Sequence, residues 1–209
     1  YASYRQFCRD PSYFWEMHLD IMKTLVNAVP NPAHRALAIL EEMHLMEGII
    51  TQNIDGLHQK AGSTVVYELH GTNESCSCID CGKHFSTQEI STTLFSIKKE
   101  KLISLMRSGK KIPRCDCGGF IKPDVILFGE LLPEQPVHAA RELARSCDLL
   151  LVIGTSLTVQ PAGSIPLIAR ECGSTLAIIN KEPGPLDGCA DIVLLGSAEE
   201  IMPRVIEHL

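Results

Sequence analysis

Apolar residues change their period along this chain. From Ser12 onward, Phe14, Met17, Ile21 and Leu25 recur at helical spacing, and Asp10-Pro11-Ser12 supplies a start signal. Asn31-Pro32 opens a second helix, with Asn as N-cap and Pro at the first helical position. Its stripe is Ala33, Ala36, Leu37, Leu40 and Met43, and its end is expected near Gly48. Beyond Gly48 the pattern turns β-rich in short runs: Ile49-Ile50-Thr51, Val65-Val66-Tyr67 and Asp124 to Phe128. Then come a helix near 136–146, a strand at 149–153, a helix near 162–172, strands at 176–179 and 192–195, and a helix near 198–208. Strands alternating with helices predict parallel pairing through right-handed crossovers. The continuous run Leu149-Leu150-Leu151-Val152-Ile153 predicts a strand buried on both faces. Between Thr72 and Gly119 the apolar rhythm lapses, apart from a helical stretch near 94–106. The pattern is that of an α/β sheet interrupted by an insert.

Length and composition sharpen this only in part. At 209 residues and 45% hydrophobic content, the chain can bury one sizeable core, or a core and a small satellite. Nineteen basic against 25 acidic side chains give a net charge of −6, which argues against a nucleic-acid partner held by bulk positive charge. The basic cluster Lys98, Lys99, Lys101, Arg107, Lys110 and Lys111 reads as a solvated helix face. No apolar run approaches the roughly 18 residues that cross a bilayer, and no export signal opens the chain. A cytoplasmic setting with no membrane partner is the expectation.

Nine cysteines cannot all pair internally, and five of them fall in the polar insert. Cys78-x-x-Cys81 and Cys115-x-Cys117 are two close pairs, each followed by glycine at a turn: Gly82, and Gly118-Gly119. Two chelating pairs of thiolates suit one tetrahedral zinc, and four sulfur ligands mark a closed, structural site. The single residue between Cys115 and Cys117 is tighter than the usual knuckle, and Cys76 lies near enough to be a substitute ligand or a bystander. Cys8, Cys147, Cys172 and Cys189 fall in helix or strand patterns and read as small core residues.

Ligands of parallel sheets bind at the carboxyl ends of strands. Polar clusters recur there: Gln52-Asn53-Ile54-Asp55, His70-Gly71, Gly154-Thr155-Ser156 and Asn180-Lys181-Glu182. Gly154 and its two hydroxyl neighbours suit a phosphate or ribose approached closely by backbone, Asn180 suits a ribose hydroxyl, and His70 suits a general base near neutral pH. Any one such residue is commonly a turn former. Their recurrence points to a nucleotide site without identifying the chemistry.

The motifs Thr51-Gln52-Asn53-Ile54-Asp55-Gly56-Leu57-His58, Glu68-Leu69-His70-Gly71, the two cysteine pairs, Lys122-Pro123-Asp124 with Phe128-Gly129-Glu130, and Gly154-Thr155-Ser156-Leu157 with Pro161-Ala162 together resemble the sirtuins, in the family's order. The resemblance implies a Rossmann-like α/β domain, with a parallel sheet and helices on both faces, plus a small helical and zinc-ribbon domain. On that plan, 1–30 are the helical part of the small domain, 71–120 the zinc module, and 31–70 with 121–209 the NAD-binding domain. It implies an NAD-dependent protein lysine deacylase, with one structural zinc and an acylated-lysine protein or peptide as partner. By the same resemblance His70 is the catalytic base. Gln52 and Asn53 line the nicotinamide ribose, and Ile54 and Asp55 hold the carboxamide, which makes Asn53 and Asp55 part of the catalytic set. Gly154, Thr155 and Ser156 face phosphates and adenosine ribose, Asn180, Lys181 and Glu182 flank that ribose, and Ala198 contacts adenine. Ile126, Phe128, Gly129 and Glu130 pair with the substrate peptide as an added strand.

The family's Gly-Ala-Gly loop and first strand do not occur in these 209 residues. Either an N-terminal part precedes this sequence, or the form is truncated and binds NAD abnormally. Protein mono-ADP-ribosyl transfer and a non-enzymatic zinc-stabilised binding module are the alternative functions.

Overall fold

The computed structural model describes residues 3–209, without the side chain of Phe95. The chain forms two compact units: one comprises the chain up to Ala28, Asn53–Gly56 and His70–Leu132, and the other Val29–Gln52, Leu57–Leu69 and Pro133–Leu209. In chain order, the first unit begins with α1 (Tyr4–Arg9) and α2 (Ser12–Asn27). The second takes up α3 (Pro32–Glu42), β1 (Ile49–Thr51), α4 (Leu57–Ala61) and β2 (Val66–Glu68). The first resumes with β3 (Gly71–Cys78), β4 (His84–Ser86), α5 (Thr87–Phe95), α6 (Lys99–Arg107) and β5 (Ile121–Val125). The second closes with α7 (Glu134–Ser146), β6 (Leu149–Ile153), α8 (Ile165–Glu171), β7 (Thr175–Asn180), β8 (Ile192–Leu195) and α9 (Ala198–Glu207). This division differs from the plan that the resemblance implies: residues 121–132 belong with the cysteine-rich segment, because β5 pairs with β3.

The second unit is the α/β part. Strands β6, β7 and β8 pair in parallel, as do β1 and β2. Among the described residues these are two separate sheets, yet they share one core, in which Ile49, Val66, Leu151, Ile153 and Ile179 pack with Leu37, Leu40 and Met202. Asn31 caps α3 by accepting from the His34 N–H at 3.0 Å. That helix stops at Glu42, short of Gly48, because His44 adopts a left-handed conformation (φ 58°) and Leu45 N–H turns back to the Leu40 carbonyl at 2.9 Å.

The first unit holds an antiparallel sheet, β4-β3-β5, that apolar periodicity does not announce. Strand β3 reads Gly-Thr-Asn-Glu-Ser-Cys-Ser-Cys, and its inward residues are Asn73, Cys76 and Cys78 rather than aliphatics. The expected helix over 94–106 is two helices. Ser86 and Glu89 form a capping box that starts α5 early, and the chain leaves helical geometry at Lys98 before α6. The expected strand over 124–128 lies earlier, at Ile121–Val125. Pro123 sits on an edge strand where its missing N–H costs no ladder bond.

Aromatic residues of α1 and α2 fill the core of this unit. Phe7 meets Phe14 edge-on at 5.3 Å, and Phe14 stacks on His18 at 5.2 Å. His18 is 2% exposed, and its Nε2 has no hydrogen-bond partner among the described residues. Burial pushes its imidazole down to about 4 from 6.5. The unfolded chain therefore binds this proton more readily than the folded one. Stability should be unaffected above pH 6.5, fall as pH drops from 6.5 towards 4, and level off below, a loss on the order of 3 kcal/mol. Melting curves of the wild type and His18→Phe between pH 4 and 7 check this. The variant should lose distinctly less stability over that range, and parallel curves would contradict the assignment.

Candidate functional site

The cysteine pairs are brought together by two turns. Cys78 ends β3, and Gly82 N–H closes the first turn on the Cys78 carbonyl at 3.0 Å. Gly118, at φ 94°, closes the second on the Cys115 carbonyl at 2.9 Å, which lets the one-residue spacing still present both sulfurs. The four Sγ atoms lie within 4.8 Å of one another, with Cys78–Cys117 at 3.5 Å and Cys81–Cys115 at 3.7 Å. A sulfur tetrahedron around zinc has edges of about 3.8 Å. The backbone N–H of Cys81 and then of Asp80 draw the Cys78 thiol down to about 7. For Cys117, the Gly119 N–H pulls downward, but the crowding thiols of Cys78, Cys81 and Cys115 outweigh it and push it up to about 12. A divalent cation relieves that crowding, so the donor set fits one structural zinc. Cys76 is no ligand of this cluster. It is wholly buried, its Sγ lies 3.3 Å from the Thr87 hydroxyl, and burial pushes its thiol up to about 11.

The remaining site residues divide between the units. In the first, Ile54 packs against the aromatic core and its carbonyl accepts the Asn73 N–H at 3.1 Å, which fixes the Asn53–Asp55 loop from within. The loop ends at Gly56 (φ 66°), where a Cβ would lie 2.7 Å from the Glu74 carboxylate. Asn53 is exposed, and Ile54 and Asp55 are half-buried. His70 is half-buried in a short turn ahead of β3, and its carbonyl accepts the Ile126 N–H at 2.8 Å. Gly71 follows at φ 73° with no room for a side chain. Ile126 continues from β5, Phe128 and Gly129 are exposed, and the turn closes with Glu130 N–H on the Leu127 carbonyl at 3.0 Å.

In the second unit, Gly154 follows β6 at φ 62°, its N–H bonded to the Ile179 carbonyl at 2.9 Å. A Cβ there would meet nothing within 4 Å, so the backbone is open to close approach by a phosphate or ribose. The Asn180 amide is bonded to the loop after β6. Its Oδ1 accepts the Thr155 N–H at 3.0 Å and its Nδ2 donates to the Thr155 carbonyl at 2.9 Å, so it shapes the loop after β6. Thr155 Oγ1 in turn accepts the Leu157 N–H at 3.2 Å and Gln52 Nε2 at 3.4 Å. Ser156 is exposed, its hydroxyl 2.9 Å from that of Thr158. Lys181 and Glu182 are exposed, and Ala198 is the first residue of α9. Two supporting residues escape sequence reading. Leu157 is left-handed (φ 56°), and Gly163 packs so closely beneath it that a Cβ would lie 2.2 Å from the Leu157 carbonyl oxygen. The glycine after Pro161-Ala162 was the available signal, but its neighbour in space was not.

Two compact units, one α/β and one carrying a four-sulfur centre, with a glycine-opened loop at a parallel strand end, are the parts that the sirtuin resemblance implies. Residues 1–161 match the Sir2 family. An NAD-dependent protein deacetylase of Sulfurisphaera tokodaii is 48% identical over 208 residues, covering 100% of this chain and 78% of that protein. A solved Sir2 complex with a p53 peptide and NAD+ superposes with a TM-score of 0.88 at 35% identity, covering 99% of this chain and 81% of the other. A solved Sir2Af2 bound to a myristoylated histone peptide gives 0.83 at 40% identity, covering 99% and 82%. The chain belongs to the Sir2 family.

Proposed function

We propose that the chain is an NAD-dependent protein lysine deacylase that transfers the acyl group of a modified lysine to ADP-ribose and releases nicotinamide. The observation that carries this reading is the open Gly154 backbone beside Thr155, in a chain 48% identical throughout to an NAD-dependent protein deacetylase. NAD, when bound, supplies the glycosidic bond to nicotinamide, whose rupture leaves the ribose ready to take the acyl oxygen. Gly154, Thr155 and Ser156 bind phosphate and ribose through backbone N–H groups and hydroxyls, held in shape by Asn180. Gln52 and Asn53 orient the nicotinamide ribose, and Ile54 and Asp55 hold the carboxamide. Lys181, Glu182 and Ala198 border the adenosine end. His70 accepts a ribose hydroxyl proton on its imidazole, and the backbone bond to Ile126 fixes the ring's origin. Ile126, Phe128, Gly129 and Glu130 present the substrate peptide. The four-cysteine zinc is closed and structural, and takes no part in the chemistry.

Nicotinamide release from NAD, measured with and without an acetyl-lysine peptide, tests the reading. Release should require the peptide, and His70→Ala should cut turnover by about 100-fold or more while zinc content stays at one equivalent. Label appearing on protein without any acyl group would instead identify an ADP-ribosyltransferase. No release by a folded, zinc-loaded chain would leave a binding module.

A further inference from the structure

Lys122 is 8% exposed, which is unusual for a lysine, and its ammonium has three close oxygen partners. Nζ donates to the Val125 carbonyl at 2.7 Å and to the Pro123 carbonyl at 3.1 Å, and lies 3.2 Å from Glu130 Oε2. That same carboxylate oxygen accepts the Leu127 N–H at 2.7 Å. A buried ion pair is expensive to desolvate and is a poor device for stability alone. Its position suggests another use. Carbonyls two residues apart point to one edge of a strand, and β3 occupies the other edge of β5. The Lys122 ammonium therefore covers the outer-edge carbonyls at 123 and 125, and Pro123 has no N–H to offer there. Proline and lysine together blunt that edge against pairing with another chain. Beyond Val125 the ammonium itself no longer covers the edge. The Leu127 N–H and carbonyl are both taken by Glu130, and the Phe128 carbonyl accepts the Tyr4 N–H at 3.1 Å. Through Glu130 the same ammonium holds the Leu127–Glu130 turn, with Phe128 and Gly129 exposed.

We propose that Lys122 is a positioning residue that sets where an extended acyl-lysine peptide can engage. It closes the outer edge of β5 through Val125, and with Glu130 it holds the following turn in the form that receives the peptide backbone. The inference rests on the deacylase reading and extends it to a residue outside the contacting set.

Lys122→Met alone would bury the Glu130 charge without its partner and risk misfolding, so the double variant Lys122→Met/Glu130→Gln is made beside it, together with Lys122→Arg. With one zinc equivalent bound, the double variant should exchange the Leu127 amide hydrogen about tenfold faster and bind a fluorescent acetyl-lysine peptide about tenfold more weakly. In turnover, the KM for peptide should rise above that of Glu130→Gln alone, the reference that alters the assigned peptide contact while keeping Lys122. Lys122→Arg, which keeps the charge and the donors, should stay within about threefold of wild type. Unchanged Leu127 exchange and peptide affinity in the folded double variant would overturn the inference while leaving the deacylase reading intact. Failure of the wild-type chain itself to bind the peptide would overturn that reading, and this inference with it.

Discussion

Replacing Cys78 by serine is expected to remove the zinc and most of the stability of the first unit. Cys78 belongs to the metal site and to the hydrophobic core together: it is 2% exposed and part of the buried cluster that includes Phe7, Trp15, Leu102 and Ile121. A serine hydroxyl is a weak zinc ligand and would put an oxygen into that core. Structural zinc in small modules contributes on the order of 10 kcal/mol of folding free energy at neutral pH, because the unfolded chain has no preformed site. Even a fraction of that exceeds the marginal stability of an ordinary domain. Metal analysis should find well under one equivalent in the variant, and its melting transition should fall or broaden to the point where two-state analysis fails. Chelation of the wild-type protein should reproduce the effect. A variant with a full zinc equivalent and an unchanged melting temperature would dismiss Cys78 as a ligand.

Gly71→Ala should be nearly as damaging, for a steric reason. The added Cβ would lie 1.9 Å from the Asp124 carbonyl oxygen and 3.0 Å from its carbon. Those are backbone atoms of the paired strand, so no side-chain rotation relieves the clash. Gly71 also has φ 73°, which by itself costs alanine only about 1 kcal/mol. The clash must be relieved by moving β3 away from β5, where Gly71 pairs with Val125 and His70 accepts from Ile126. Destabilisation above about 4 kcal/mol in denaturant unfolding is expected; with His70 as the proposed base, its displacement should also abolish turnover. Gly109→Ala is the matched control. It has the same sign of φ, at 75°, with nothing within 4 Å of the added Cβ, and should cost about 1 kcal/mol. Equal losses for the two would show that backbone conformation, not the clash, makes Gly71 necessary.

The sequence was most legible where a residue's chemistry is local. Asn31-Pro32 announces a helix start, and the structure has one with Asn31 as its cap. Cys78-x-x-Cys81 and Cys115-x-Cys117 announce a metal centre, and their sulfurs converge. The five-residue apolar run at 149–153 announces a parallel strand, and β6 occupies it in full, but the burial on both faces that the run predicts is not found: only Val152 is buried and Leu149 is 49% exposed. It was least legible in the first unit. Strand β3 is polar and carries no period-2 signal, because its inward positions are filled by thiols and an amide. The helix read at 94–106 is broken because capping at Ser86 and an extended Lys98 outweigh a continuous apolar stripe.

By itself, then, the sequence determined the α/β class, the cap and turn positions, the four metal-binding thiols and the motifs of the Sir2 family. Each depends on residue identity and spacing over a few positions, where hydrophobic period, backbone freedom and ligand chemistry act directly. The tertiary structure alone decided which partners those residues meet. It turned the Asn180 amide onto Thr155, set Gly163 beneath Leu157, excluded Cys76 from the sulfur cluster and closed Lys122 over its own strand edge onto Glu130. Such pairings join positions that are distant in sequence or hidden by a turn. They are fixed by where packed elements bring side chains and backbone within hydrogen-bonding or steric range, and no local pattern encodes that.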